Sequence, residues 1–117
     1  MLGNIDWEAF DEGFYSYQNL VQRTKQYDTE TFGIIYPSYG LMGEVGEIME
    51  KQKRVLRGDA DDIDINDMTK ELGDVLWYLT ALATDLGIDL TAVAETNMRK
   101  LVGRLARDTI KGEGDDR

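Results

Sequence analysis

The stretch that decides the fold is Met68-Thr69-Lys70-Glu71-Leu72-Gly73-Asp74-Val75-Leu76-Trp77-Tyr78-Leu79-Thr80-Ala81-Leu82-Ala83-Thr84-Asp85-Leu86-Gly87. Met68, Leu72, Val75, Leu79, Leu82 and Leu86 are separated alternately by four and three positions. That is the spacing of one face of an α-helix, not the alternation of a strand. Asn66 or Asp67 stands ahead of the run as an N-cap, and Gly87 follows as a left-handed stop. A helix from about Met68 to Leu86 is expected.

The same period extends outward in both directions. Leu41, Val45, Ile48, Gln52, Val55 and Leu56 form a matching stripe in a segment from roughly Tyr39 to Leu56, with Ser38 as its N-cap after Pro37. Trp7, Phe10, Phe14, Tyr17 and Val21 mark a helix from about Asn4 to Tyr27, which Gly13 weakens without breaking. An aromatic and Thr-rich loop, Asp28 to Ser38, joins the two. Downstream, Asp89 caps a segment from roughly Leu90 to Arg107. With no strand alternation and no repeat, the expected class is all-α: a four-helix, bundle-like protomer in one domain, 1–117. Several apolar stripes would gain from a second copy, so completion by homo-oligomerisation is expected. Residues 109–117 are polar and glycine-rich, a tail expected to be mobile.

Composition narrows the chemistry. The 117 residues hold no Cys and no His, which excludes disulfides, thiolate zinc sites, thiol nucleophiles and histidine-based triads. Any metal must be held by oxygen, which favours Mg²⁺ or Mn²⁺. A net charge of −10 argues against nucleic-acid polymers and anionic membranes as partners. It leaves room for a polyphosphate with a cation between. The sequence shows neither a long apolar run nor a basic, then apolar, leader, so a soluble cytoplasmic protein is the expectation. The connector Gly58 to Asp67 sets Asp62, Asp64 and Asn66 at alternate positions. An EF-hand counted from Asp62 would need Gly and Glu where Asp67 and Gly73 stand. The connector therefore reads as a solvated acidic loop.

Two carboxylate pairs carry the functional argument. Glu44 and Glu47 on one helix, and Glu71 and Asp74 on the next, are each spaced i, i+3 and so share a face one turn apart. Glu44 lies at the edge of its apolar arc, and Glu47 about 60° beyond it. Glu71 and Asp74 repeat that placement beside their own stripe. If the stripes pack as an antiparallel pair, four carboxylates converge at one rim of the core. Their repulsion and desolvation are relieved by a divalent cation. A pair of solvated helix faces is the competing reading, less expected because the placement repeats. On the last helix, Asn97 lies between Val93 and Leu101 on the apolar face, with Lys100 and Arg104 on the same stripe. These three either serve an anionic ligand or are a backbone-bonded amide and two snorkelling cations. Tyr78, four residues after Asp74, either stacks on a base or packs against a neighbouring helix.

Gly40-Leu41-Met42-Gly43-Glu44-Val45-Gly46-Glu47, Glu71-Leu72-Gly73-Asp74-Val75-Leu76-Trp77-Tyr78 and Asn97-Met98-Arg99-Lys100-Leu101 resemble the MazG-like family of all-α nucleoside triphosphate pyrophosphohydrolases. The resemblance runs from about Tyr17 to Arg117, and the ending Ile110 to Arg117 is similar to the tail of one branch. It implies Mg²⁺-dependent hydrolysis of a nucleoside triphosphate to monophosphate and pyrophosphate, with Mn²⁺ as a substitute. Glu44, Glu47, Glu71 and Asp74 would hold the metal, and Asn97 and Lys100 would contact phosphate. With no His available, a metal-activated water is the natural nucleophile, its proton accepted by Glu44 or Glu47. Lys100 and Arg104 would hold the leaving pyrophosphate, with help from Lys51, Lys53 or Arg54. Arg107, Lys111 and Arg117 would act across a subunit boundary. A homodimer or tetramer is implied, and nucleotide-pool house-cleaning is the expected task. Alternatives are a dedicated dUTP, dCTP or phosphoribosyl-ATP pyrophosphohydrolase, or a non-catalytic helical adaptor or antitoxin-like module.

Overall fold

Aspartates set where the helices begin. The structure, a computed structural model, describes residues 4–115. Asp6 accepts a hydrogen bond from the Ala9 amide at 3.0 Å and starts α1, Trp7–Thr24. Asp28 accepts from the Glu30 amide and starts a single turn, α2, Thr29–Phe32. The long helices α3, Ile35–Arg57, α4, Ile65–Asp85, and α5, Leu90–Ala106, complete the chain. All regular structure among the described residues is helical, as the period of the apolar residues requires.

Several boundaries differ from the expected ones, α1 spanning Trp7–Thr24 and not Asn4 to Tyr27. The segment 28–38 is not one loop: it contains α2, and α3 already begins at Ile35. Pro37 therefore lies inside the first turn of α3, where its missing N–H costs nothing, and Ser38 hydrogen-bonds back to the Ile34 carbonyl instead of capping. The cap of α4 is Asp64, ahead of Asn66 and Asp67, because its carboxylate can accept from both of their amides. Asp89 occupies the N-cap position of α5 but makes no side-chain cap bond. The Leu90 amide is taken at 2.8 Å by Gln18 Oε1 from α1, and Gln18 Nε2 donates to Thr84 Oγ1 and to the Ile88 carbonyl. One buried amide side chain thus ties α1 to the turn between α4 and α5.

That turn closes α4 as expected. Gly87, at φ +73°, bonds the Thr84 carbonyl while Ile88 bonds that of Ala83, the paired bonds of a Schellman stop.

The chief packing runs α3 on α4, α4 on α1 and α1 on α5. Helices α3 and α4 form an antiparallel hairpin, as Lys51 pairs with Asp67 near one end and Gly40 meets Tyr78 near the other. On α5, Thr91 donates to the Asp11 carbonyl and Arg99 lies over the Trp7 ring at 4.2 Å, so α5 runs antiparallel to α1. The bundle is open. Its radius of gyration is 17.3 Å, against about 13 Å for a compact domain of this size. Among the described residues, Val21, Ala81, Ala83 and Leu90 are the buried hydrophobic core side chains. The α4 stripe divides accordingly. Met68, Val75 and Leu82 are half-buried, but Leu72, Leu79 and Leu86 are exposed together with Ile65 and Leu76.

Candidate metal centre

The hairpin register brings Glu44 of α3 opposite Glu71 and Asp74 of α4. Each offers a carboxylate oxygen, and the three oxygens lie within 4.8 Å of one another. Glu44 and Glu71 are half-buried, and Asp74 is exposed. Burial, followed by the charges of Asp74 and Glu71, a hydrogen bond with Glu71 and the charge of Glu47, raises the pKa of Glu44 above the usual carboxylate range. A proton thus relieves the repulsion that a cation would also relieve, and the two compete for one place. Three hard oxygen donors from two rigid helices fit Mg²⁺, Mn²⁺ or Ca²⁺ and do not favour a soft metal. Glu47 is exposed, lies outside this cluster and reaches it through its charge alone.

Lys51 lies at the edge of the cluster. Its ammonium is bound to Asp67 and stands 3.3 Å from Glu71, and the Asp67 bond leads in raising its pKa. Tyr78 packs its ring against α3. An added Cβ at Gly40 would stand 2.1 Å from Tyr78 Cε1, so only glycine lets the ring approach there. Burial, then Tyr36, Glu44 and Asp74, raises the Tyr78 phenol pKa, and burial with Asp74 does the same for Tyr17 on α1. Both phenols stay neutral donors beside the acids. Gly40→Ala should therefore cost about 1–2 kcal/mol, the overpacking penalty less the gain in helix propensity, and should displace Tyr78. Gly43→Ala, with open space around it, should instead stabilise by about 0.5–1 kcal/mol. Urea unfolding of the two variants checks the contrast.

Beyond Tyr78 the rings continue. Trp77 meets Tyr78 edge-on at 5.1 Å, Tyr27 stacks on Tyr36 at 4.4 Å, and Phe32 tilts against Tyr36. Tyr27 and Lys25 both bind Asp85, whose side chain is 2% exposed, and the Trp77 indole donates to Thr24. Sequence reasoning selected Tyr78 and missed this wall. Its signal was the aromatic content of the segment 28–38, which no spacing rule connects to position 77.

The cations of α5 form a separate group. Asn97 is exposed, not buried on the apolar face, because α5 packs on α1 and covers little of α4. Lys100 and Arg104 bind Asp115 of the tail at 3.1 and 3.3 Å. Lys53 and Arg54 pair with Glu50 on α3. Arg107 and Lys111 are exposed, and Arg117 lies outside the described residues. Within the chain, then, the carboxylates and the cations of α5 lie on different helix pairs. None of the described helices is long and apolar enough to cross a membrane.

Residues 38–107, which contain both carboxylate pairs, match the MazG nucleotide pyrophosphohydrolase domain. The chain is also similar to the Gene 37 protein of Mycobacterium phage L5, with 43% identity over 89 residues, 73% of this chain and 77% of the phage protein. No solved structure matches at a significant level. With the match running from the first turns of α3 through the end of α5, on an all-helical fold, the chain belongs to the MazG nucleotide pyrophosphohydrolase family.

Proposed function

We propose that the protein is a Mg²⁺-dependent nucleoside triphosphate pyrophosphohydrolase, with Mn²⁺ as a substitute metal, that yields a monophosphate and pyrophosphate. The observation that carries this reading is the convergence of Glu44, Glu71 and Asp74 on one point of the α3–α4 hairpin in a chain of this family. These three hold the metal. When bound, the metal neutralises phosphate charge and acidifies water at the site. Glu47, one turn along α3 and outside the cluster, completes the ligand set or accepts a proton from the attacking water, a role open also to the second carboxylate oxygen of Glu44. Water oxygen bonds to the α-phosphorus, the bond to the bridging oxygen breaks, and pyrophosphate leaves with the electron pair. Lys51 supplies a cation at the rim. Asn97, Lys100 and Arg104 serve the phosphates, and Tyr78 with the neighbouring rings offers a face for the base. A panel of ribo-, deoxyribo- and damaged nucleoside triphosphates with Mg²⁺, scored by pyrophosphate release, tests the reading and separates house-cleaning from a dedicated dUTP or dCTP activity. An adaptor or antitoxin-like module would release none.

The reading includes self-association. Ile65, Leu72, Leu76, Leu79 and Leu86 run along one side of α4 and are between 37% and 72% exposed. An apolar seam over the length of a helix suits a second copy of that helix. It would also let α5 of one protomer approach the carboxylates of another. Leu72→Glu with Leu79→Glu should convert a wild-type oligomer to monomer by light scattering and reduce pyrophosphate release with it. An unchanged mass would remove the seam from the interface.

A further inference from the structure

Arg104 is 4% exposed, yet among the described residues its ion-pair partner is one carboxylate on the tail, Asp115. One of its Nη atoms donates to the Gly114 carbonyl at 2.9 Å and to Asp115 at 3.3 Å, while Nε is buried with no hydrogen-bond partner. Lys100 donates to the same Asp115 oxygen at 3.1 Å. Asp115 itself is 84% exposed. One carboxylate therefore serves two cations, and it reaches them from open solvent.

The tail is shaped to bring it there. After α5 the chain turns through Asp108, at φ +56°, and then through Gly112 and Gly114, at +126° and +86°. Positive angles of this kind are easy for glycine, so the two glycines of Lys111-Gly112-Glu113-Gly114-Asp115 allow the reversal. Nearer α5, Ile110 lines an apolar groove of about 280 Å³ with Trp7, Phe10, Leu101 and Leu105. A solvent-exposed carboxylate is a weak, salt-screened partner. A guanidinium carries five donors in a planar fork, and a polyphosphate presents to it more oxygens, and more negative charge, than one carboxylate and one carbonyl do.

We propose that Asp115 is an internal stand-in for a substrate phosphate: the tail closes the Lys100–Arg104 notch when no nucleotide is present, and a polyphosphate displaces it. The proposal rests on reading Lys100 and Arg104 as phosphate ligands, and it adds a competitor carried by the chain itself. The tail then sets the apparent affinity for the anion without touching the carboxylates of the metal centre. The Lys100 ammonium, and then Arg104, lower the Asp115 pKa below its ordinary value, so the competitor stays charged at neutral pH.

Calorimetric titration of the full chain with inorganic pyrophosphate, with EDTA present to remove divalent cations, tests this without reference to turnover. Asp115→Ala should bind pyrophosphate at least about threefold more tightly than the wild type, as removal of an exposed charged competitor allows. Asp115→Asn should do the same, because the charge and not the shape is the competitor. Amide hydrogen exchange over residues 109–115 should speed up when pyrophosphate is added to the wild type. Equal or weaker binding by both variants, no saturable pyrophosphate binding by any of the three proteins, or tail exchange unaltered by pyrophosphate would overturn the proposal. Loss of the hydrolase reading would show separately, as an absence of metal-dependent pyrophosphate release from nucleotides while this exchange persists.

Discussion

Glu71→Gln should reduce metal-dependent pyrophosphate release by on the order of 10²–10³-fold, the scale of losing one group that stabilises transition-state charge. Helix content should be unchanged, since Glu71 is half-buried at a rim and Gln has nearly the same shape. The variant removes one of three oxygens that meet within 4.8 Å, so Mg²⁺ or Mn²⁺ titration should show a parallel loss of affinity. It also removes a charge that raises the pKa of Glu44. The sign follows from linkage. A carboxyl whose pKa is raised by folding contributes stability at low pH, and that stability is lost as pH rises through the raised value. The Glu44 contribution in the metal-free wild type should therefore increase Tm as pH falls through the raised value towards the ordinary carboxylate range. In Glu71→Gln that increase should shrink. Full activity in the variant, or metal affinity equal to wild type, would remove Glu71 from the metal centre.

Gln18→Leu should cost about 3 kcal/mol of folding stability, the largest loss expected from a single substitution outside the metal centre. Gln18 is buried and makes three hydrogen bonds, to Thr84 Oγ1, the Ile88 carbonyl and the Leu90 amide. Leucine fills similar volume but leaves a buried amide and a carbonyl without partners, each costing about 1–3 kcal/mol. Asp89 makes no side-chain cap bond, so the first turn of α5 loses the acceptor that Gln18 supplied. Urea unfolding measures the change, and Gln18→Glu, which retains an acceptor for Leu90, should recover part of it. A loss below about 1 kcal/mol would mean that water replaces the side chain. Because this clamp sets where α5 leaves α4, the variant should also raise KM more than it lowers kcat.

Much of the helical framework was legible in local sequence. The four- and three-residue spacing of apolar side chains placed all four long helices, and Gly87 marked a stop whose bonds the structure contains. The caps were less legible. An Asp–Ile–Asn–Asp run offers several acceptors, and which amides lack an intrahelical partner decides between them. The seam Leu72, Leu79 and Leu86 was expected in the core, because periodicity identifies an apolar face without saying which neighbour covers it. In the folded chain Val75 and Leu82 are half-buried and that seam is left exposed.

The sequence by itself determined that Glu44 and Glu47 share one side of a helix and that Glu71 and Asp74 share one side of the next, because about 100° per residue is a local property. The absence of Cys and His likewise determined that any metal here is held by oxygen. Tertiary structure decided that Glu44 meets Glu71 and Asp74 while Glu47 stays outside. It also decided that Lys100 and Arg104 face the tail. The register of α3 on α4 is set by contacts between residues far apart in the chain, the Tyr78 ring on Gly40 and Lys51 on Asp67. No spacing along either helix contains that offset, because it arises only when the two surfaces pack.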